Sequence, residues 1–94
     1  VKAEALAMAT ETELNTYGYT LLNQGDKKEA IRIFKMNVDR HPESANAWDS
    51  LGEGYALSDD KDNAIKCFKK SLTLNPVDGV KANSTMYLKK LGAL

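Results

Sequence analysis

Apolar and small side chains recur at helical spacing through most of the chain. In four segments they fall three, four, seven or eight residues apart, which places them on one face of a helix. The four stripes are Leu14, Tyr17, Gly18 and Leu21; Ala30, Ile31, Phe34 and Val38; Trp48, Leu51, Gly52 and Tyr55; and Ala64, Ile65, Phe68 and Leu72. The alternation of β-branched and polar residues that would indicate strands is absent from the sequence. The pattern predicts an all-α protein.

The four stripes form two copies of one pattern. A shift of 34 residues places residues 11–44 over residues 45–78 without a gap, and eight of the 34 pairs are then identical. About two identities are expected by chance with ordinary residue usage. The identical pairs are Gly18/Gly52, Asp26/Asp60, Lys27/Lys61, Ala30/Ala64, Ile31/Ile65, Phe34/Phe68, Lys35/Lys69 and Pro42/Pro76. The sequence therefore predicts two helical repeats.

Polar residues and helix breakers between the stripes indicate where the helices begin and end. Thr10 and Glu13 form a capping box, and Asp26, Ser44 and Asp78 are residue types that cap helix N-termini. Helix ends are expected at Gly25, Pro42 and Pro76. In the second copy Asp59 replaces Gly25, and it tolerates a left-handed backbone less well.

These signals define the expected helices and domain limits. Helices are predicted at 11–24, 27–40, 45–58, 61–74 and 79–91. The predicted units are a linker or tag-derived segment at 1–10, repeats at 11–44 and 45–78, and a C-terminal capping helix at 79–94.

Two glycines in the middle of predicted helices indicate close helix packing. Gly18 and Gly52 occupy equivalent positions, where glycine costs about 1 kcal/mol relative to alanine. We expect both to lie where two backbones approach closely, with Ala30 and Ala64 as small partners on the second helix of each pair.

Composition and charge exclude several classes of function. Thirteen basic residues balance thirteen acidic ones, so the sequence predicts neither general nucleic-acid binding nor attraction to anionic membranes. Given this balance, Lys61, Lys66, Lys69 and Lys70 are interpreted as a solvated helix face. A single cysteine permits no intramolecular disulfide.

The sequence contains no convincing catalytic, metal or cofactor site. His41 is the one histidine, and a triad with Asp49 and Ser50 is disfavoured because adjacent residues of a helix point about 100° apart. We therefore predict no catalytic residues, no metal, no cofactor and no enzymatic activity for this chain by itself.

The second copy resembles the tetratricopeptide repeat. Its order Trp48, Leu51, Gly52, Tyr55, Ala64, Phe68 and Pro76 matches the pattern W-x2-L-G-x2-Y…A-x3-F…P at every place. The first copy keeps Gly18, Ala30, Phe34 and Pro42. The resemblance implies an α-α superhelix of two helix–turn–helix repeats plus a closing helix.

The resemblance also implies a protein or peptide partner, bound on the concave face of the first helix of each repeat. By position that groove contains Asn15, Tyr19, Leu22, Asn46, Asp49 and Glu53. It lacks the basic clamp with which some members grip acidic tails. Asp49 and Glu53, four residues apart on a helix, repel each other. They would favour a basic or neutral segment, or else they are simply solvated.

The run from Phe34 to Tyr55 also resembles repeats that follow the catalytic domain of bacterial serine hydrolases and esterases, notably in Bacteroidetes. Three hypotheses follow. The chain is an interaction module whose partner is a peptide or its own parent catalytic domain; it is a structural appendage that promotes oligomerisation; or it is part of an enzyme whose chemistry lies elsewhere.

Overall fold

The protein is all-α, as the sequence predicts. The computed structural model describes residues 3–94, with side chains from residue 5 onward, so part of the predicted linker lies outside the described residues. The helices in the described part are α1 (Ala3–Met8), α2 (Glu11–Asn23), α3 (Lys27–Arg40), α4 (Ala45–Leu57), α5 (Lys61–Thr73) and α6 (Asp78–Lys90).

Helices α2 to α5 form two helical hairpins, and α6 closes the stack. Helix α2 packs against α3 and α4 packs against α5, while α3 contacts α4 and α5 contacts α6. Helix α4 also contacts both α2 and α6. We call α2, α4 and α6 the inner layer, and α3 and α5 the outer layer. This arrangement is that of an α-α superhelix of hairpins, and the predicted fold class is confirmed.

Each hairpin is held together where a phenylalanine crosses a glycine. A Cβ atom built on Gly52 would lie 2.8 Å from Cε1 of Phe68, and one on Gly18 would lie closer still to the ring of Phe34. Both rings are fully buried, so neither can swing aside to make room. The two glycines lie at helix–helix contacts, as expected, but the group nearest to each is a phenylalanine ring and not a second backbone or the predicted alanine.

Most of the predicted helix caps are present. The Thr10–Glu13 capping box forms in both directions, and the side chains of Asp26 and Ser44 each accept a backbone N–H bond from the residue three positions on. Asp78 was expected to cap the last helix, and that prediction is wrong. Helix α6 begins one residue earlier than expected, at Asp78, because Val77 is already extended and its carbonyl accepts the N–H of Lys81 at 2.9 Å.

Helix α1 was not predicted. It is only six residues long, too short for a periodic signal. Leu6 and Ala9 pack against the core, and Nη1 of Arg40 donates to the carbonyl oxygen of Leu6 at 2.6 Å. The residues of 1–10 that are described are therefore docked on the first hairpin. Their assignment as a linker stays a prediction.

Helix α6 covers the second hairpin. Leu88 is fully buried against Ala64 and Phe68, and the ring of Tyr87 stacks on that of Phe68 with centroids 4.8 Å apart. Met86 stands one repeat after Gly52, at the third glycine position, and its side chain is exposed. No phenylalanine crosses this helix in the described part of the chain.

Candidate functional site

Polar side chains one repeat apart meet across the inner layer. Tyr19 on α2, Glu53 on α4 and Tyr87 on α6 are separated by 34 residues each, so equal steps of the repeat bring them into one row. Oη of Tyr19 donates to Oε2 of Glu53 at 2.6 Å. Oη of Tyr87 donates to Oε1 of the same carboxylate at 3.4 Å. Both rings also pack on the phenylalanines of the outer layer, which holds them in place.

A second row centres on Asp49, one turn before Glu53. Nδ2 of Asn83 donates to both carboxylate oxygens of Asp49, at 2.9 and 3.1 Å, and to Oε2 of Glu53 at 3.1 Å. Oγ of Ser84 donates to Oδ1 of Asp49 at 2.6 Å. Neutral donors on α6 thus satisfy both acidic side chains of α4.

Burial perturbs the titration of this network. The pKa of Asp49 is raised because the carboxylate loses water, and the hydrogen bonds from Ser84 and Asn83 offset part of that rise. The pKa values of Tyr19 and Tyr87 are also raised, chiefly by burial. The Glu53 carboxylate adds to the rise, because an ionised phenolate beside it would be repelled. At neutral pH both tyrosines therefore remain hydrogen-bond donors.

The network contains two carboxylates and no cation. Among the described residues the ion pairs are Arg32 with Glu29 and His41 with Glu11, and neither involves Asp49 or Glu53. Helices α2 and α4 contain no lysine or arginine. The part of the inner layer that α2 and α4 form therefore carries a net negative charge. A cation on α6, Lys90, lies near the network, with its Nζ 5.8 Å from the centroid of the Tyr87 ring.

The structure revises several predicted groove residues. Asp49 is only 5% exposed, and Leu22 belongs to the core. The expectation that they face a partner directly is wrong, because donors on α6 cover the first and the second is packed in the hydrophobic core. Tyr19 and Glu53 are half-buried and joined, and Asn46 is exposed at the start of α4.

Asn15 occupies the position of Asp49 in the first repeat. It is half-buried, and its Oδ1 atom is enclosed without a hydrogen-bond partner among the described residues. Asn83, Asp49 and Asn15 occupy equivalent positions one repeat apart, and the Oδ1 atom of Asn15 accepts no hydrogen bond from the described residues. A buried acceptor without a donor costs roughly 1–3 kcal/mol.

The contribution of α6 was not predicted from the sequence. Asn83, Ser84 and Tyr87 supply three donor contacts to Asp49 and two to Glu53. Asn83 and Ser84 carry no hydrophobic signal, and Tyr87 was assigned to the apolar stripe of the helix, which is why the helix was interpreted only as a cap. A further shift of 34 residues places them at the positions of Asp49, Ser50 and Glu53, and that register would have identified them.

The described residues also bear on chemistry and membranes. His41 pairs with Glu11, while Ser50 is buried in the core, so the disfavoured triad is not assembled. Within residues 3–94 no three His, Cys, Asp or Glu side chains are grouped as metal ligands. None of the described helices is both long and apolar enough to span a bilayer.

Comparison with known proteins identifies the repeat. Residues 45–76 match the family model of the tetratricopeptide repeat, so this segment is similar to such a repeat. It is 33% identical over 67 residues to the peroxisomal targeting signal 1 receptor of Dictyostelium discoideum, which covers 71% of this chain and 10% of that protein.

Two further relatives are similar over much the same length. The 26S proteasome regulatory subunit RPN7 of Saccharomyces cerevisiae is 44% identical over 64 residues, which is 68% of this chain and 15% of that protein. Superkiller protein 3 of Schizosaccharomyces pombe is 36% identical over 61 residues, which is 65% of this chain and 4% of that protein. The chain thus spans a small fraction of each relative. The repeat and these similarities support a protein–protein interaction module and indicate no catalytic family.

Proposed function

We propose that the inner layer binds a basic or neutral segment of a protein, with Glu53 at the centre of the contact. The observation that carries this proposal is the half-exposed Glu53 carboxylate, which lies between Tyr19 and Tyr87 and has no cationic partner among the described residues. A lysine or arginine side chain from a partner would complete its charge pairing.

The surrounding groups suit a polypeptide. Tyr19 and Tyr87 flank Glu53 with rings fixed against the outer layer, so a partner would meet pre-organised aromatic surface. Half-buried Asn15 and exposed Asn46 extend the polar edge of this surface. Asp49 would contribute indirectly. Its charge adds to the negative potential at Glu53, while its carboxylate oxygens stay hydrogen-bonded to α6.

The comparisons supply indirect support for a peptide partner. One similar protein is named as the receptor of a targeting signal. The chain spans too little of that relative to inherit its ligand. What we take from this relative is only that a surface of tetratricopeptide repeats can bind a segment of another protein.

The larger setting of the module is a further part of this proposal. Resemblance of the run from Phe34 to Tyr55 to the repeats of bacterial serine hydrolases and esterases supports a place in the C-terminal part of a larger bacterial protein, with the parent catalytic domain as one partner. We propose repeats at 11–44 and 45–78, a capping helix at 79–94 and a linker at 1–10.

A second candidate is a structural appendage that promotes oligomerisation. It is favoured by the free side of α6, where Ala82 and exposed Met86 lie in a shallow depression of about 640 Å3 that is also lined by one aspartate and three lysines. Light scattering separates the two candidates. A monomer that binds peptides supports the interaction module, and a stable dimer that binds none supports the appendage.

The direct test replaces Glu53 by glutamine, which removes the charge and keeps a hydrogen-bond acceptor. Binding to an array of lysine- and arginine-containing peptides is compared with the unmodified protein and with Glu43→Gln, a matched change at an exposed turn residue. We expect about tenfold weaker binding for Glu53→Gln alone, because a partly desolvated charge pair is lost. Equal affinities for all three proteins would remove Glu53 from the binding site.

A further inference from the structure

The neutral total charge conceals a strong separation between the two layers. Helices α3 and α5 of the outer layer carry nine of the thirteen lysine and arginine residues and only three acidic ones. In the inner layer, α2 and α4 carry four acidic residues and no basic ones, and α6 carries one aspartate and three lysines. The nine basic side chains, all exposed, are Lys27, Lys28, Arg32, Lys35, Arg40, Lys61, Lys66, Lys69 and Lys70.

The positive charges of the outer layer follow the repeat. Three equivalent positions carry a cation in both copies, namely Lys27/Lys61, Arg32/Lys66 and Lys35/Lys69. Because the buried stripe of each helix faces the inner layer, the cations form two neighbouring rows on the opposite side. Among the described residues Arg32 is the one of the nine that forms an ion pair, with Glu29.

A cleft separates the two rows. It has a volume of about 200 Å3, and its polar lining consists of Lys35 and Asp39 on α3 and Asn63 and Lys66 on α5. Trp48 and Tyr55 of α4 line the same cleft between them and are half-buried. Nε1 of Trp48 is already used, since it donates to the carbonyl oxygen of Pro42 at 2.8 Å. The cleft therefore offers aromatic surface at its base and ammonium groups at its edges.

We propose that the outer layer is a second binding surface, which takes an acidic segment of a protein along the cleft between α3 and α5. Carboxylates of the segment pair with the two cationic rows, and one apolar side chain sits on Trp48 and Tyr55. The neutral total does not oppose this contact. Charges act over about 8 Å at physiological ionic strength, whereas the molecule measures 40 × 26 × 18 Å, so the inner carboxylates are largely screened from this face.

The surface suits a protein better than a membrane or a nucleic acid. The exposed large apolar residues of the described chain are Met8, Leu57, Val77, Met86 and Leu94, and none is on α3 or α5. A bilayer-binding helix needs such residues for insertion. Nucleic-acid strands favour exposed aromatic platforms, whereas Trp48 and Tyr55 are half-buried at the base of the cleft. Glu29, Asp39 and Asp62 also interrupt the cations, which opposes a continuous phosphate chain.

The test measures binding of a short fluorescent Glu/Asp peptide with one central leucine to the 94-residue chain. Lys35→Glu/Lys66→Glu reverses both edges of the cleft. Lys81→Glu/Lys89→Glu makes the same charge change on α6 and is the control; circular dichroism verifies that both variants fold. We expect salt-sensitive binding that weakens about tenfold or more in the first variant and within about twofold in the control.

Single-stranded RNA and vesicles containing anionic lipid are titrated in parallel. The proposal requires the acidic peptide to bind more tightly than either. It is overturned if RNA or vesicles bind as tightly, if both charge-reversal variants weaken binding equally, or if the peptide fails to bind at low salt. Because Glu53 is unchanged in these proteins, their outcome is independent of the function proposed for the inner layer.

Discussion

The two helical hairpins reach the same packing with different side chains. At three places of the repeat pattern the first hairpin has Leu14, Tyr17 and Leu21 where the second has Trp48, Leu51 and Tyr55. Both nevertheless bury their phenylalanine and alanine completely. The comparison teaches that the crossing of glycine and phenylalanine determines the hairpin, while the bulky residues around it are exchangeable.

A second difference between the hairpins leads to the same contact. Nδ2 of Asn37 in α3 donates to the carbonyl oxygen of Glu11 at 3.1 Å. One repeat later Oγ of Ser71 in α5 donates to the carbonyl oxygen of Ala45 at 2.9 Å. Each bond ties the end of an outer helix to the first turn of its inner partner. The position therefore requires a donor of suitable reach and tolerates more than one residue type.

The largest expected effect comes from removing the cover of the second hairpin only. Deletion of residues 79–94 exposes Phe68 and Ala64 and leaves Asp49 without its donors, while the first hairpin keeps its neighbours. We expect aggregation or loss of cooperative unfolding, measured by light scattering and thermal melts. A matched truncation after Leu91 keeps α6 and should unfold cooperatively. A monomeric, normally melting 1–78 fragment would show that the second hairpin needs no cover.

The next effect tests whether the two crossings are equivalent. Gly52→Leu and Gly18→Leu each force a side chain into a fully buried phenylalanine ring, and overpacking of this kind costs about 1–3 kcal/mol or more. We expect both variants to lose most of their folded population in circular-dichroism melts. Gly79→Leu is the control, since no atom lies within 4 Å of a Cβ atom there. A melting temperature of Gly52→Leu within a few degrees of the parent would contradict the argument.

A smaller effect concerns the titration of Asp49, which has no counterpart in the first repeat because Asn15 occupies the equivalent position. The raised pKa of Asp49 means that the folded state binds its proton more tightly than the unfolded state. Its contribution to stability is therefore greatest at low pH and is lost as the pH rises through the folded-state pKa.

The substitution Asp49→Asn removes this titration. We expect its free energy of unfolding, relative to the parent, to increase as the pH rises from about 3.8, the ordinary value for this group, towards neutrality. Urea titrations at several pH values measure it, with Asp62→Asn as an exposed-carboxylate control. A pH-independent difference would contradict the assigned burial effect.

The smallest effect concerns the turns inside the hairpins. Gly25 and Asp59 both have left-handed backbones, with φ of 85° and 61°, but only glycine adopts this conformation without steric cost. We expect Asp59→Gly to stabilise the protein by up to about 1 kcal/mol and Gly25→Asp to destabilise it by a similar amount. Each should move the melting temperature by roughly 4–8 °C. Shifts of the same sign in both variants would show that the turns are not equivalent.

The sequence predicted the helices well because their signals are local. The five predicted helices agree with the structure to within one residue at each end, since capping residues and apolar periodicity act within a few positions. The inner-layer network was harder to predict. Its bonds join residues 30 to 35 positions apart, and whether Asp49 faces solvent depends on where α6 packs. Helix α1 was not predicted because its stability comes from packing on the first hairpin and not from a local sequence signal.

Met86 changes how closely another helix could pack against α6, compared with the glycines at the same position of α2 and α4. Packed helices lie about 8–10 Å apart, depending on the side chains between them. Glycine at this position allows the narrow end of that range, whereas a methionine thioether holds any further element at a wider spacing. The regular step of the stack therefore stops at α6. Since methionine adapts its shape to irregular surfaces, this side of α6 is suited to contact a body that is not another repeat.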